Sequence, residues 1–173
     1  MALCWVAGLS GTGKSTIVGE LQRSGELAWD ADDLCSWRNH QTGELIDDPA
    51  TGRPAGWVAE HGWVIDPAEV ERCRDEADGR IGYLAGGCEN EGDVWRLFDR
   101  VVYLVADDDT IRQRLAARTT NDYGKTDEEL DVILRWNAVL EPLYRERGAT
   151  IVDASRPLLD VVDDVRAAGR RAS

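Results

Sequence analysis

Residues Gly8-Leu9-Ser10-Gly11-Thr12-Gly13-Lys14-Ser15-Thr16 follow the spacing G-x-x-x-x-G-K-S, which is that of a phosphate-binding loop (Walker A). The chemistry such a loop permits is the grip of a polyphosphate. Glycines let several backbone N–H groups converge on one point, and the helix that follows adds its positive end. Gly8, Ser10, Gly11, Thr12, Gly13 and Thr16 are the loop residues expected around that point. Lys14 would reach the β- and γ-phosphates, and the Ser15 hydroxyl would take Mg²⁺. Composition singles out the lysine, because 18 of the 20 basic residues are arginine and one of only two lysines stands here.

A second group of oxygens follows at Asp30, Asp32 and Asp33, after the short apolar run 27–29. If that run is a strand, the carboxylates stand at the carboxyl edge of the sheet, the edge at which open α/β sheets bind ligands. Asp30 is assigned to the Mg²⁺ shell through water, since Mg²⁺ keeps several waters. Asp32 is assigned to accept the proton of an attacking hydroxyl. Asp33 competes for either role, and Asp32 or Asp33 alternatively caps the next helix.

The elements that must hold these groups alternate. Residues 3–7 read as a buried strand and 14–24 as a helix. A strand at 27–30 follows, and 31–38 can begin a helix. From 39 to 65 the periodicity disappears, broken by Gly43, Pro49, Gly52, Pro54, Gly56 and Gly62, with Trp57, His61 and Trp63 interleaved. Asp66-Pro67 then caps a helix to about 78. Strands are expected at 80–85, 101–105 and 150–152. Helices are expected at 91–98, from the Asp107 cap to 117, from the Thr126 capping box to about 147 with an interruption at Pro142, and at 158–168. Five strands separated by helices imply one domain of α/β class, a five-stranded parallel sheet with helices on both faces.

At 173 residues the chain suits a single domain, and a formal charge of −13 argues against nucleic acid or an anionic membrane as the main partner. No apolar run approaches the ~18 residues of a membrane span, and no signal peptide precedes the first strand, which points to a cytoplasmic protein. Cys4, Cys35, Cys73 and Cys88 show no paired spacing and read as small core residues where they fall in apolar segments. Trp5, Trp29, Trp95 and Trp136 fit core or core-edge positions.

The chain resembles the small-kinase branch of P-loop proteins, the group holding nucleoside monophosphate kinases, shikimate kinase and gluconate kinase. The likeness is carried by the loop 8–16, the D-x-D of Asp30 and Asp32, Leu84-Ala85-Gly86-Gly87, the stretch from Arg114 through Arg118 to Lys125, and Pro142-Leu143-Tyr144-Arg145-Glu146. It implies the P-loop fold of nucleotide-kinase type, ATP and Mg²⁺ as cofactors, and a small-molecule phosphoryl acceptor. Arg118 matches the lid arginine that touches the transferring phosphate, with Arg114 one helical turn earlier as its substitute. Residues 153–157 resemble the loop beside adenine. Two departures bear on the acceptor. Leu140 stands where shikimate kinase carries its substrate-carboxylate arginine, and Cys88-Glu89-Asn90 replaces a third glycine.

Phosphoryl transfer requires positioning, charge neutralisation and exclusion of water. Residues 118–126, polar and glycine-containing between helices, suit a closing lid. The insert at about 39–66 is the expected acceptor-recognition element. Asp32, Asp33, Arg38, Trp57, Trp63, Gly86 and Gly87 are its candidate contacts. The expected activity is transfer of the γ-phosphate of ATP to a hydroxyl of a nucleoside, nucleotide or sugar-like metabolite. The competing reading is an ATPase or nucleotide-dependent switch without an acceptor. An acidic Walker B strand end would favour that second reading, but the strand at 80–85 ends in glycines and Asp107 reads as a helix cap.

Overall fold

A computed structural model describes residues 2–49, 56–119 and 123–170 of the chain. Strands β1 (Ala2–Gly8), β2 (Leu27–Asp30), β6 (Ile81–Ala85), β7 (Arg100–Val105) and β8 (Thr150–Asp153) form a parallel sheet in the order β2-β6-β1-β7-β8. The central strand β1 is apolar throughout because both its faces are covered. Cys4 and Val6 point into one core, which helix α1 (Lys14–Arg23) fills with Ile17, Val18 and Leu21 and helix α7 (Leu158–Arg170) with Val161, Val162 and Val165. Leu3 points to the other face, beneath Val70 and Cys73 of helix α3 (Pro67–Ala77). Trp5 and Ala7 lie on that same face against Tyr144 of helix α6 (Asp127–Glu146).

Local capping chemistry sets where the helices begin. The Asp66 carboxylate accepts from the N–H of Ala68 at 3.0 Å ahead of Pro67. Asp107 accepts from the N–H of Thr110 at 2.8 Å to start helix α5 (Asp108–Ala117), and Thr126 accepts from the N–H of Glu129 at 3.3 Å to start α6. Pro142 does not interrupt α6, which runs through it to Glu146. The carbonyl that loses its donor there is that of Ala138, an exposed residue where water can serve instead.

The insert differs from expectation. Residues 31–38 do not open a helix: only Ala31–Asp33 turn, as one 3₁₀ turn, and strand β3 (Cys35–Asn39) follows at once. It pairs antiparallel with β4 (Leu45–Ile46) on one side and β5 (His61–Ile65) on the other, and helix α2 (Trp57–Glu60) leads into β5. The aperiodic region is therefore a small three-stranded sheet. Cross-strand pairing produces it, with Cys35 opposite Ile65 and Trp37 opposite Trp63. The remaining segment, helix α4 (Glu91–Val94) with a 3₁₀ turn at Trp95–Leu97, joins β6 to β7. Trp136 is not a core residue; half of its surface is exposed on α6. All four cysteines are free.

Candidate functional site

The phosphate loop leaves β1 at Gly8, whose backbone has φ +154°. A Cβ there would come within 2.8 Å of Thr12 Oγ1 and 3.0 Å of the Leu104 carbonyl, so only glycine lets the chain turn this close to β7. Gly13 caps α1 with φ 97° and supplies no side-chain acceptor, which leaves the first N–H groups of the helix for a ligand. Thr12 is buried and ties the loop together, its hydroxyl donating to the Leu9 carbonyl at 2.8 Å. Ser10 is half-buried on the loop, and Ser15 and Thr16 are exposed at the first turn of α1.

Lys14 folds back over the loop. Its Nζ donates to the carbonyls of Gly8 at 2.7 Å and Leu9 at 2.9 Å. Burial lowers its pKa to about 8; the charges of Asp32 and Asp30 oppose that shift, and Arg118 adds to it. Lys14, the two carboxylates and Arg118 thus form one electrostatic group, although they come from three separate stretches of sequence.

Within the carboxylate cluster the capping role falls on Asp30, whose Oδ1 accepts from the Asp32 N–H at 3.1 Å. No helix follows for Asp33 to cap. Asp32 receives a hydrogen bond from the Trp63 side chain, and burial and its acidic neighbour Asp30 hold its carboxyl above the usual range. The Ala31 turn between the two acids is pressed against Gly86. A Cβ on Gly86 would lie 2.4 Å from that of Ala31. Gly86 is itself held by β1: its N–H donates to the Val6 carbonyl at 3.1 Å, and its carbonyl accepts from the Trp5 indole at 2.9 Å. The Ser15 hydroxyl and the Asp30 and Asp32 carboxylates offer only oxygen, a donor set that fits Mg²⁺. Among the described residues no cluster of three His, Cys, Asp or Glu forms a cage, so a Mg²⁺ ion here would rest on phosphate and water as well.

The two arginines of the lid stretch differ. Arg114 donates to the carbonyls of Thr12 at 3.2 Å and Ala154 at 2.8 Å, bracing the phosphate loop against the loop after β8. Arg118, just past α5, donates to the Tyr123 carbonyl, and its buried Nε makes no hydrogen bond among the described residues. Residues 120–122 of the expected lid lie outside the described residues, as does Arg53 of the insert.

The insert's two faces divide the acceptor candidates. Trp37 and Trp63 share one face with ring centroids 5.2 Å apart, and Trp57 meets Trp37 edge-on at 4.7 Å. Trp63 brings this face to Asp32. His61 stacks on Trp57 at 4.5 Å and its Nδ1 donates to the Trp57 carbonyl at 2.8 Å, a structural role. Arg38 is not brought to the carboxylates; it lies opposite Gly62 on the other face, 3.1 Å from the Gly43 carbonyl and 3.7 Å from Asp66. Gly87 continues from Gly86 into Cys88-Glu89-Asn90. The Glu89 N–H donates to the Trp63 carbonyl at 2.7 Å, and its carboxylate meets His40 Nε2 at 2.8 Å across Gly62. Trp5, Glu89, Asn90 and His40 carried no local signal, since each acts through a partner distant in sequence. Leu140 packs with Tyr103 and Tyr144.

The sheet order, the glycine loop over α1 and the opposed carboxylates define the P-loop fold of small kinases. A family described as an AAA domain matches residues 5–135, and the chain belongs to that family. Solved structures share the fold. A gluconokinase from Sinorhizobium meliloti superposes with TM-score 0.54 at 20% identity, over 97% of this chain and 91% of that one. A sugar kinase from Janibacter gives 0.54 at 20%, over 97% and 94%. Shikimate kinase from Acinetobacter baumannii in complex with shikimate gives 0.58 at 14%, over 96% and 91%. No curated protein matches the sequence.

Proposed function

We propose that the chain is an ATP-dependent phosphotransferase that moves the γ-phosphate to a hydroxyl of a small molecule, a nucleoside, nucleotide or sugar-like metabolite. One observation carries the reading: Asp32 stands free of capping duty, in the field of Lys14, held by Trp63 from the insert.

On ATP binding, Lys14 exchanges the Gly8 and Leu9 carbonyls for the β- and γ-phosphates, and the loop N–H groups take the remaining oxygens. Ser15 and Asp30 would hold Mg²⁺, which offsets charge on the transferring group. Asp32 orients the acceptor hydroxyl and takes its proton as the oxygen attacks. Arg118, whose buried Nε makes no hydrogen bond among the described residues, neutralises charge that develops on the phosphoryl oxygens, and residues 118–126 act as the lid that keeps water out. The fit of Arg114 is to loop bracing, which keeps the phosphate cradle in register.

A switch or ATPase without an acceptor would draw on an acid at the end of β7. Asp107 there is committed to capping α5 through Thr110, which favours the kinase reading. The test is ADP release from Mg-ATP against nucleosides, nucleoside monophosphates, sugars and aminoglycosides, with Asp32→Asn alongside. Stimulation by one class, lost in the variant, is expected. Hydrolysis at one rate whatever is added would move the switch reading ahead.

A further inference from the structure

We infer that the acceptor is a polyol without an anionic group, and that one bearing a protonated amine is preferred; this rests on the kinase reading above. The observation is the division of the insert sheet into two unlike faces. The face turned to Asp32 carries Trp37 and Trp63, with Trp57 against their edge. Strand alternation sends Arg38 to the opposite face, where the Gly43 carbonyl and Asp66 engage it.

Charge sharpens the choice. Asp30 and Asp33 stand beside Asp32, while of the two arginines between Asp30 and Asp66 Arg38 is on the far face and Arg53 lies outside the described residues. The cations on the nucleotide side, Lys14 and Arg118, are matched by the triphosphate. An acceptor carrying carboxylate or phosphate would therefore approach Asp30, Asp32 and Asp33 with no facing cation among the described residues, and like-charge juxtaposition is a strong means of rejection. An ammonium group meets the reverse: carboxylates attract it, and indole faces bind cations better than other aromatic rings do. Indole rings also offer flat apolar area to the C–H faces of a sugar-like ring.

The test titrates the full-length chain, with Mg-ADP present, with glucosamine, glucose and gluconate and with an aminoglycoside, following tryptophan fluorescence. Phosphoryl transfer from Mg-ATP to each is measured in parallel. At least one amine-bearing compound is expected to bind about tenfold or more tighter than glucose, with gluconate weakest, and the preference should shrink as salt screens the charges. Asp33→Arg, a change at an exposed turn, is expected to narrow the gap in favour of gluconate. Gluconate binding as well as the amines, or no amine binding, overturns the inference. Amine binding without phosphoryl transfer to any compound upholds the charge preference and sinks the kinase reading. Transfer to gluconate in preference to the amines does the opposite.

Discussion

The side-chain amide of Asn90 pairs with both backbone groups of Ile65, its Oδ1 accepting from the N–H at 3.0 Å and its Nδ2 donating to the carbonyl at 2.9 Å. One side chain thus imitates a strand neighbour and clips the end of β5 to the segment that follows β6. Ile65 lies in the core under α3, while Trp63, two residues earlier, reaches Asp32. The clip therefore sets the distance between the insert sheet and the carboxylates.

Asn90→Ala removes both bonds. Each is worth about 1 kcal/mol net, so a loss of about 2 kcal/mol in chemical denaturation is expected. Nucleotide affinity should stay near that of the parent, because the phosphate loop is tied to α1 and β7 instead. Acceptor KM should rise severalfold. Steady-state kinetics with both substrates varied will separate the two effects, and an equal loss on both sides would contradict the role assigned to the clip.

Lys14 gives a pH signature. Burial lowers its pKa to about 8, and phosphates placed beside it favour the charged form. Below that value the free protein already carries the proton. Above it, nucleotide binding must draw a proton in, so affinity should fall as pH rises through 8 to 10. Calorimetry of Mg-ATP binding at pH 9 in two buffers of unlike ionisation enthalpy should report an uptake approaching about one proton, and almost none at pH 7. The uptake should vanish in Lys14→Met. Equal proton counts at both pH values would rule the assignment out.

Gly86→Ala tests the contact behind the carboxylates. The new methyl would lie 2.4 Å from the Ala31 Cβ, on a backbone with φ +150° that L residues rarely adopt. The turn carrying Asp30 and Asp32 must move, and misplacing reacting groups by about 1 Å can cost on the order of 100-fold in rate. A fall in kcat of at least tenfold is expected, with nucleotide Kd little changed. Unaltered kcat in a folded variant would show that the turn is not positioned from β6.

Tyr144 and Glu91 offer a test of stability. The Tyr144 hydroxyl donates to Glu91, 2.7 Å from one carboxylate oxygen and 2.6 Å from the other. Burial holds the Glu91 carboxyl above its usual range, and this hydrogen bonding opposes the shift. A carboxyl that keeps its proton more tightly when folded lowers stability as pH rises from the ordinary carboxylate value through the folded one. Tyr144→Phe raises the folded pKa further. The variant should lose about 1–3 kcal/mol at pH 7 and clearly less near pH 4, where the carboxyl is protonated in both states. Denaturant melts at the two pH values measure this, and a loss that is the same at both would refute it.

Elements whose signals are local can be read from the residues alone. The phosphate loop is readable because its glycines and Lys14 must stand at fixed spacing between a strand and a helix. Asp66, Asp107 and Thr126 announce their helices because a cap bonds to N–H groups two or three residues on. The five parallel strands are legible from their continuous apolar runs, since both faces of such a sheet are buried. The insert is different, because long-range strand pairing makes it. Trp37 and Trp63 are 26 positions apart, and what makes each a strand residue is the other. The same holds for the contacts that aim the site: Trp5 with the Gly86 carbonyl, Asn90 with Ile65, Trp63 with Asp32. Arg38 has the residue type of an acceptor contact, yet the strand pleat turned it to the far face. Residue type reveals what chemistry is available, while the register of paired strands decides which side chains meet.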